Sequence, residues 1–377
     1  MTKRLLCILV AMGALLAGTA QGQTTTISDE TQAAAGELTS EQAAEVEAFI
    51  TFCAERMTDP ASDINVIKSC RESMISAYGG DLGEGFMRHF ARATEQVFVP
   101  ATLRAEQSPV VQVNGAMVIA EIARPELASL LTRMLTHPNA AVRYYALKGF
   151  QRIVPAMVAM GEDEFGEVFK ALREFAQRTA DPALVRVLLR AMDLSELDAD
   201  RVNPATLNDA REEAMKIIMQ LLEANLQAIR DGDAGMADAA AFGVNALAGM
   251  GLDLPKEERE DPLKAVAAVA ANAGEAFGEL SLVDDDGNQR LVRPPGSFTM
   301  LLVYCERAIG KLIGQRKVAI SRELPPTQAS DVTRALLAVN GLVGASGTEG
   351  DLQKLDVVDV PVPTRLSRSP EAAEPGR

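Results

Sequence analysis

The side chains most readily turned to metal or nucleophilic chemistry are Cys53, Cys70, Cys305, His89 and His137, with Cys7 near the start. Zinc sites need close Cys or His pairs, and neither CxxC nor a second nearby histidine occurs, so no metal is expected. Neither histidine stands in a local hydrolase signature, and capping or surface roles are expected for both. The stretch DDDGN, Asp284 to Asn288, invites a calcium loop. Such a loop alternates its oxygen ligands and ends on a bidentate Glu. Here the acids are consecutive, Leu282 takes the first ligand position and Arg293 stands where Glu belongs, so a turn is expected. AIGKLIGQRK lies in a helical pattern without phosphate-loop spacing. The chain therefore reads as a non-enzyme, with no catalytic residue and no cofactor.

In an oxidising compartment Cys53 and Cys70 could join adjacent helices across the TDPASD turn. The alternative is that both are small buried apolar residues. Three pairings among Cys53, Cys70 and Cys305 are open, and sequence proximity alone favours 53–70. Cys305, in an apolar helix, is expected as a buried free thiol.

Compartment follows from the first 22 residues. Lys3 and Arg4 precede LLCILVAMGALLAG, and small residues follow at Ala20 and Gly22. That is the pattern of an export signal, and its apolar run is short for a membrane span. Cys7 precedes that run, against a lipoprotein. No later stretch is apolar enough to span a bilayer. The protein is expected to be exported, periplasmic or secreted, without a membrane span once the signal is removed. Losing Lys3 and Arg4 moves the formal charge from −15 to −17. Such a charge opposes binding to nucleic acid, and no block of like charge reverses it locally. With no Trp, few aromatics and abundant Ala, Leu, Val and Met, the composition suits closely packed helices.

Residues 23–39 read as a flexible polar leader. TSEQ then resembles a capping box opening the first helix of a hairpin or cap over 40–80. From 84 to 198, a long amphipathic helix, a Pro-bearing turn and a second apolar helix recur three times. The second helices are PVVQVNGAMVIAEI, PNAAVRYYALKGFQRI and PALVRVLLRAMDL. Pro costs little at a helix's first position, whose N–H lacks an intrahelical partner. The pairs Val142-Arg143 and Val185-Arg186 are 43 residues apart, and Val113-Asn114 precedes the first by 29. Such a unit cannot bury its own apolar stripe, so neighbours must stack. Residues 204–342 continue as divergent helical repeats, with a β-hairpin near 280–292. From 343 to 377, Gly, Ser, Pro and charge indicate a disordered tail.

HPNAAVRYYALKGF and ADPALVRVLLRAM resemble the turn and second helix of HEAT-like repeats, relatives of armadillo repeats, over residues 84–195. The resemblance implies an all-α fold, an α-solenoid of antiparallel helix pairs that binds other macromolecules, and it implies no reaction. It also implies that Arg143 and Arg186 brace their turns through an acidic or carbonyl partner, with Asp181 near Arg186. Asn114 departs from that pattern and argues against a continuous cationic stripe with Arg152 and Arg190.

The function expected is an exported scaffold for protein–protein interaction in the cell envelope. Tyr144 and Tyr145, with Arg143 and Arg186, are the candidate contacts with a protein partner, because Tyr is favoured at hot spots. Helical spacing leaves at most one Tyr of the pair outside the core. The alternatives are an exported hydrolase or metal-dependent enzyme on a helical scaffold, or a self-associating structural component of the envelope.

Overall fold

The computed structural model describes residues 26–197, 202–285, 288–344 and 350–354. The export signal, the bulk of the expected tail and the tip of the DDDGN turn lie outside them. The protein is mostly helical, with many packed helix pairs and almost no strand. It forms two compact units, residues 1–149 and 150–377. The division falls inside the helix Ala140–Met160.

In the first unit the helices are α1 (Asp29–Gln32), α2 (Ser40–Thr58), α3 (Ile64–Ala77) and α4 (Glu84–Ala93). Then come α5 (Val99–Thr102), α6 (Pro109–Glu121), α7 (Ala128–Met134) and the start of α8 (Ala140–Met160). A π turn, Thr94–Phe98, joins α4 to α5 just ahead of Pro100. The capping box read in TSEQ is present. Gln42 N donates to Thr39 Oγ1 at 3.3 Å, and Thr39 N donates to Gln42 Oε1 at 3.0 Å.

The leader is not a flexible arm over its described part. Ile27 and Thr31 are buried. Gly83, Gly85 and Phe86 N donate to the carbonyls of Gln32, Ala35 and Ala34 at 2.8, 3.1 and 3.1 Å. The first N–H groups of a helix have no intrahelical acceptor, and here the leader's backbone supplies one to α4. A Cβ on Gly85 would stand 1.5 Å from Gly36 O, and one on Gly83 2.1 Å from Ala34 O. Only glycine lets the two backbones approach this closely. Glu45 fastens the other end, accepting from Ser28 N at 2.7 Å and Thr31 Oγ1 at 2.6 Å. Burial opposes its ionisation, but those hydrogen bonds prevail and hold the carboxyl below its ordinary range.

The second unit contains α9 (Glu162–Ala176), α10 (Pro182–Ala191), α11 (Pro204–Ala224), α12 (Leu226–Arg230) and α13 (Ala234–Met250). These lead to α14 (Glu260–Ser281), the hairpin β1 (Leu282–Asp285) and β2 (Asn288–Leu291), and α15 (Gly296–Leu312). The unit closes with α16 (Ala329–Val343) and α17 (Asp351–Lys354). The strands are antiparallel, pairing Leu282 with Leu291 and Asp285 with Asn288. Within the span read as tail, Val343 ends α16 and α17 buries Leu352.

Three helix starts share one recipe. Ser108, Asp181 and Asn203 each precede a Pro at the first position and cap the backbone beyond it. These caps set where each helix begins. Packing then divides the unit into two rows. Helices α9, α11, α14 and α16 touch in succession, as do α10, α13 and α15. This is compatible with a helical repeat.

Gly85→Ala is expected to lower stability by about 1–3 kcal/mol, the usual cost of overpacking, in urea unfolding. An unchanged midpoint would contradict the docked leader. A carboxylate with a depressed folded pKa contributes stability that is present above its unfolded pKa and lost as pH falls through the folded value. Protease protection of residues 26–38 should therefore fall on acidification, and Glu45→Gln should remove that dependence.

Candidate functional site

The outer face of the α10–α13–α15 row carries side chains at helical intervals. These are Arg186 and Arg190 on α10, Asp238, Phe242 and Asn245 on α13, and Ser297, Met300 and Tyr304 on α15. Spacings of three, four and seven place each set on one face of its helix. Arg190 lies over the Phe242 ring, 4.1 Å from its centroid, a cation–π contact. Arg186 donates to Asp238 Oδ2 at 2.8 Å. Beside them is a recess of 340 Å³, lined by Asp238, Ala241, Phe242, Asn245, Ser297, Met300 and Tyr304. Met300 is 49% exposed.

The row's floor is made by small residues. A Cβ on Gly243 would meet Leu189 at 2.9 Å, Leu222 at 3.2 Å and Ile218 at 3.3 Å. Helix α13 therefore sits close to α10 and α11, and its outer face is fixed in register. Cross-helix ion pairs repeat at comparable sequence separations. Arg173 pairs with Glu213, 40 residues on, Arg186 with Asp238, 52 on, and Arg230 with Glu275, 45 on. The first two are half-exposed, and such pairs contribute only about 0–1 kcal/mol each. Their effect is on register more than on stability. Glu275, at 5% exposure, is the exception, buried against Arg230 at 3.0 Å.

The residues singled out from sequence divide between the units. Arg143, Tyr144 and Tyr145 lie on α8 in the first, and Arg186 lies in the second. Arg143 braces its turn, donating to the carbonyls of His137 and Pro138 at 2.7 and 2.9 Å. Arg186 does not brace its own turn. Asp181 instead caps Ala183 N and Leu184 N, and the guanidinium reaches Asp238. Its partner was hidden from sequence by the 52 residues between them.

Both tyrosines are half-buried, edge to face at 5.3 Å, so neither is wholly a core residue. Val142, Ala146 and Leu147 fill the core face in their place. Asn114 is buried, accepting from Arg71 at 2.9 Å. His137 belongs to the turn. Its Nδ1 accepts from Asn139 N at 3.1 Å, and Nε2 faces Leu103 O at 3.3 Å. The side chains of DDDGN fall outside the described residues.

Cys53, Cys70 and Cys305 are buried thiols. Cys53 and Cys70 face each other from α2 and α3. The hydrogen bond between them pushes the Cys53 thiol up and pulls Cys70 down to about 7. Burial alone pushes Cys305 upward.

Sequence reasoning missed Phe242, Asn245, Met300 and Tyr304. The available signal was the spacing Asp238, Phe242, Asn245 in an otherwise Ala-rich helix.

No family model matches the chain. No curated protein matches it either. Among solved structures, one titled as the crystal structure of an engineered protein, Northeast Structural Genomics Consortium target OR329, is similar over 70% of this chain and 96% of its own. The identity is 14% and the TM-score 0.37, too low for the likeness to bear on fold or function.

Treatment with oxidised glutathione should link Cys53 to Cys70, seen as one cross-linked peptide in a non-reducing digest. The closed loop is short, and the bond should add about 3 kcal/mol to stability. Recovery of both thiols free, or a link to Cys305, would contradict the pairing.

Proposed function

We propose that the chain is an exported, non-enzymatic scaffold of HEAT-like repeats that holds a protein partner in the cell envelope. Export rests on the charged start, apolar run and small-residue site within residues 1–22. The repeat reading rests on the [Ser/Asp/Asn]-Pro helix starts and on the two rows of helices in the second unit. In this reading the rows are stacked antiparallel pairs.

The observation that carries the reading is the recess on α13 and α15. It gathers Phe242, Met300 and Tyr304, with Arg190 stacked at its rim, in a chain with few aromatics. Tyr and Arg are enriched where binding energy concentrates, and Met adapts to the shape presented to it. A volume of 340 Å³ suits one or two partner side chains. Asn245, Ser297 and Tyr304 supply polar groups to orient the partner's backbone. The Tyr144–Tyr145 face has a weaker claim. Its rings contact each other, and Arg143 is occupied with its own turn.

Affinity capture from an envelope extract, with bound species identified by mass spectrometry, tests this reading. The protein should recover one partner near equal stoichiometry. Met300→Asp should abolish recovery, and Tyr144→Ser with Tyr145→Ser should leave it intact. The reverse pattern would contradict the recess, and recovery of the chain alone would point to self-assembly.

A further inference from the structure

Between Arg307 and Arg322 the sequence carries five basic residues and no acidic one, within a chain of net charge −15. The expectation that no local run reverses the acidic balance fails here. Apart from Arg316-Lys317 the charges are spaced three or more residues apart in sequence, and the fold brings four of them together. Helix α15 stops at Leu312, earlier than its apolar pattern indicates, in a Schellman turn. Gln315 N donates to Gly310 O, and Gly314 N to Lys311 O, with Gly314 at φ +69°.

The chain then doubles back against the helix. A Cβ on Gly310 would stand 2.6 Å from Gln315 O, so the return depends on glycine there. The returning segment is pinned by Glu306, which is 1% exposed. Its carboxylate accepts from Ile320 N at 2.6 Å and Ser321 N at 2.9 Å.

The resulting cleft has a volume of 540 Å³. Arg307, Lys311, Arg316 and Lys317 line it, with the Gln315 amide and the Ser321 hydroxyl among the other lining groups. Among the described residues no acidic one lines it. Lys317 pairs with Asp351 at 2.8 Å. Arg307, Lys311 and Arg316 have no carboxylate partner among the described residues, although acids outnumber bases in the chain 52 to 37. The terminal carbonyls of α15 would repel an anion, but they are taken. Ile309 O accepts from Ile313 N, Gly310 and Lys311 are bonded in the turn, and Leu312 O accepts from Arg259.

We propose that this cleft binds a phosphate group. Every polar side chain lining it can donate a hydrogen bond, and charge-assisted bonds from Arg and Lys are the strong ones for phosphate oxygens. Three cations without a carboxylate partner among the described residues repel one another across the cleft, and a dianionic ligand removes that repulsion. The volume leaves room for more than one phosphate, so a diphosphate or a phosphate ester fits. A phospholipid headgroup presents the same chemistry. The proposal stands independently of the recess on α13 and α15.

Titration calorimetry with inorganic pyrophosphate at low salt is the test, beside co-sedimentation with vesicles of equimolar phosphatidylcholine and phosphatidylglycerol. The Arg307→Gln, Arg316→Gln double variant alters exposed side chains only. Its circular dichroism melt checks that it folds. Pyrophosphate binding that drops at least tenfold in the variant supports a soluble phosphate ligand. Vesicle binding with the same drop, and no response to pyrophosphate, supports a headgroup. Absence of both, or binding the variant retains in full, overturns the proposal.

Discussion

Helix α13 can be enclosed only because it is narrow. Its sequence, AGMADAAAFGVNALAGM, places alanine or glycine at most positions that meet another helix. At Gly243 three neighbouring side chains, Leu189, Leu222 and Ile218, already stand within 3.3 Å of where a Cβ would be. A larger residue there would push α10 and α11 away, and interiors packed at crystal-like density do not absorb that without loss. The spacing of the whole second unit rests on this contact. It sets the distance at which Arg186 meets Asp238 and Arg190 covers Phe242, beside the recess.

The same economy of side chain operates elsewhere. Gly83 and Gly85 let the leader's carbonyls reach the open N–H groups of α4, and Gly310 lets the 315–317 segment return against α15. In each case a missing Cβ lets one stretch of backbone lie directly against another. Polar bonds then fix the arrangement, through Glu45 for the leader and Glu306 for the returning loop. Both glutamates bond to the segments they hold. The two loops thereby become part of the packed structure, and the charged cleft acquires a defined shape.

Local grammar was legible in the sequence. Ser108, Asp181 and Asn203 announce three helix starts, TSEQ a fourth, and the leucines flanking DDDGN, Leu280, Leu282 and Leu291, the hairpin. What was not legible depends on distance or on backbone. The leader looks unstructured because its docking uses carbonyl groups, which leave no hydrophobic period. Arg186 and Arg143 share a sequence position but find different partners, since Asp238 comes within reach of Arg186 only once α13 packs on α10. Tyr144 and Tyr145 share the half-buried flank of α8, because Val142, Ala146 and Leu147 already satisfy its core stripe. The recess joins two helices, four residues from α13 and three from α15, and no local motif records that sum.

The central claim is that α10, α13 and α15 form one preorganised platform, packed around α13. Native-state hydrogen exchange read by mass spectrometry measures this directly, because opening free energies distinguish joint from separate unfolding. The account predicts that the amides of α13 exchange only in the global unfolding of the second unit, with α10 and α15 opening in the same event. Exchange of α13 at markedly lower free energy, while α10 and α15 stay protected, would contradict it.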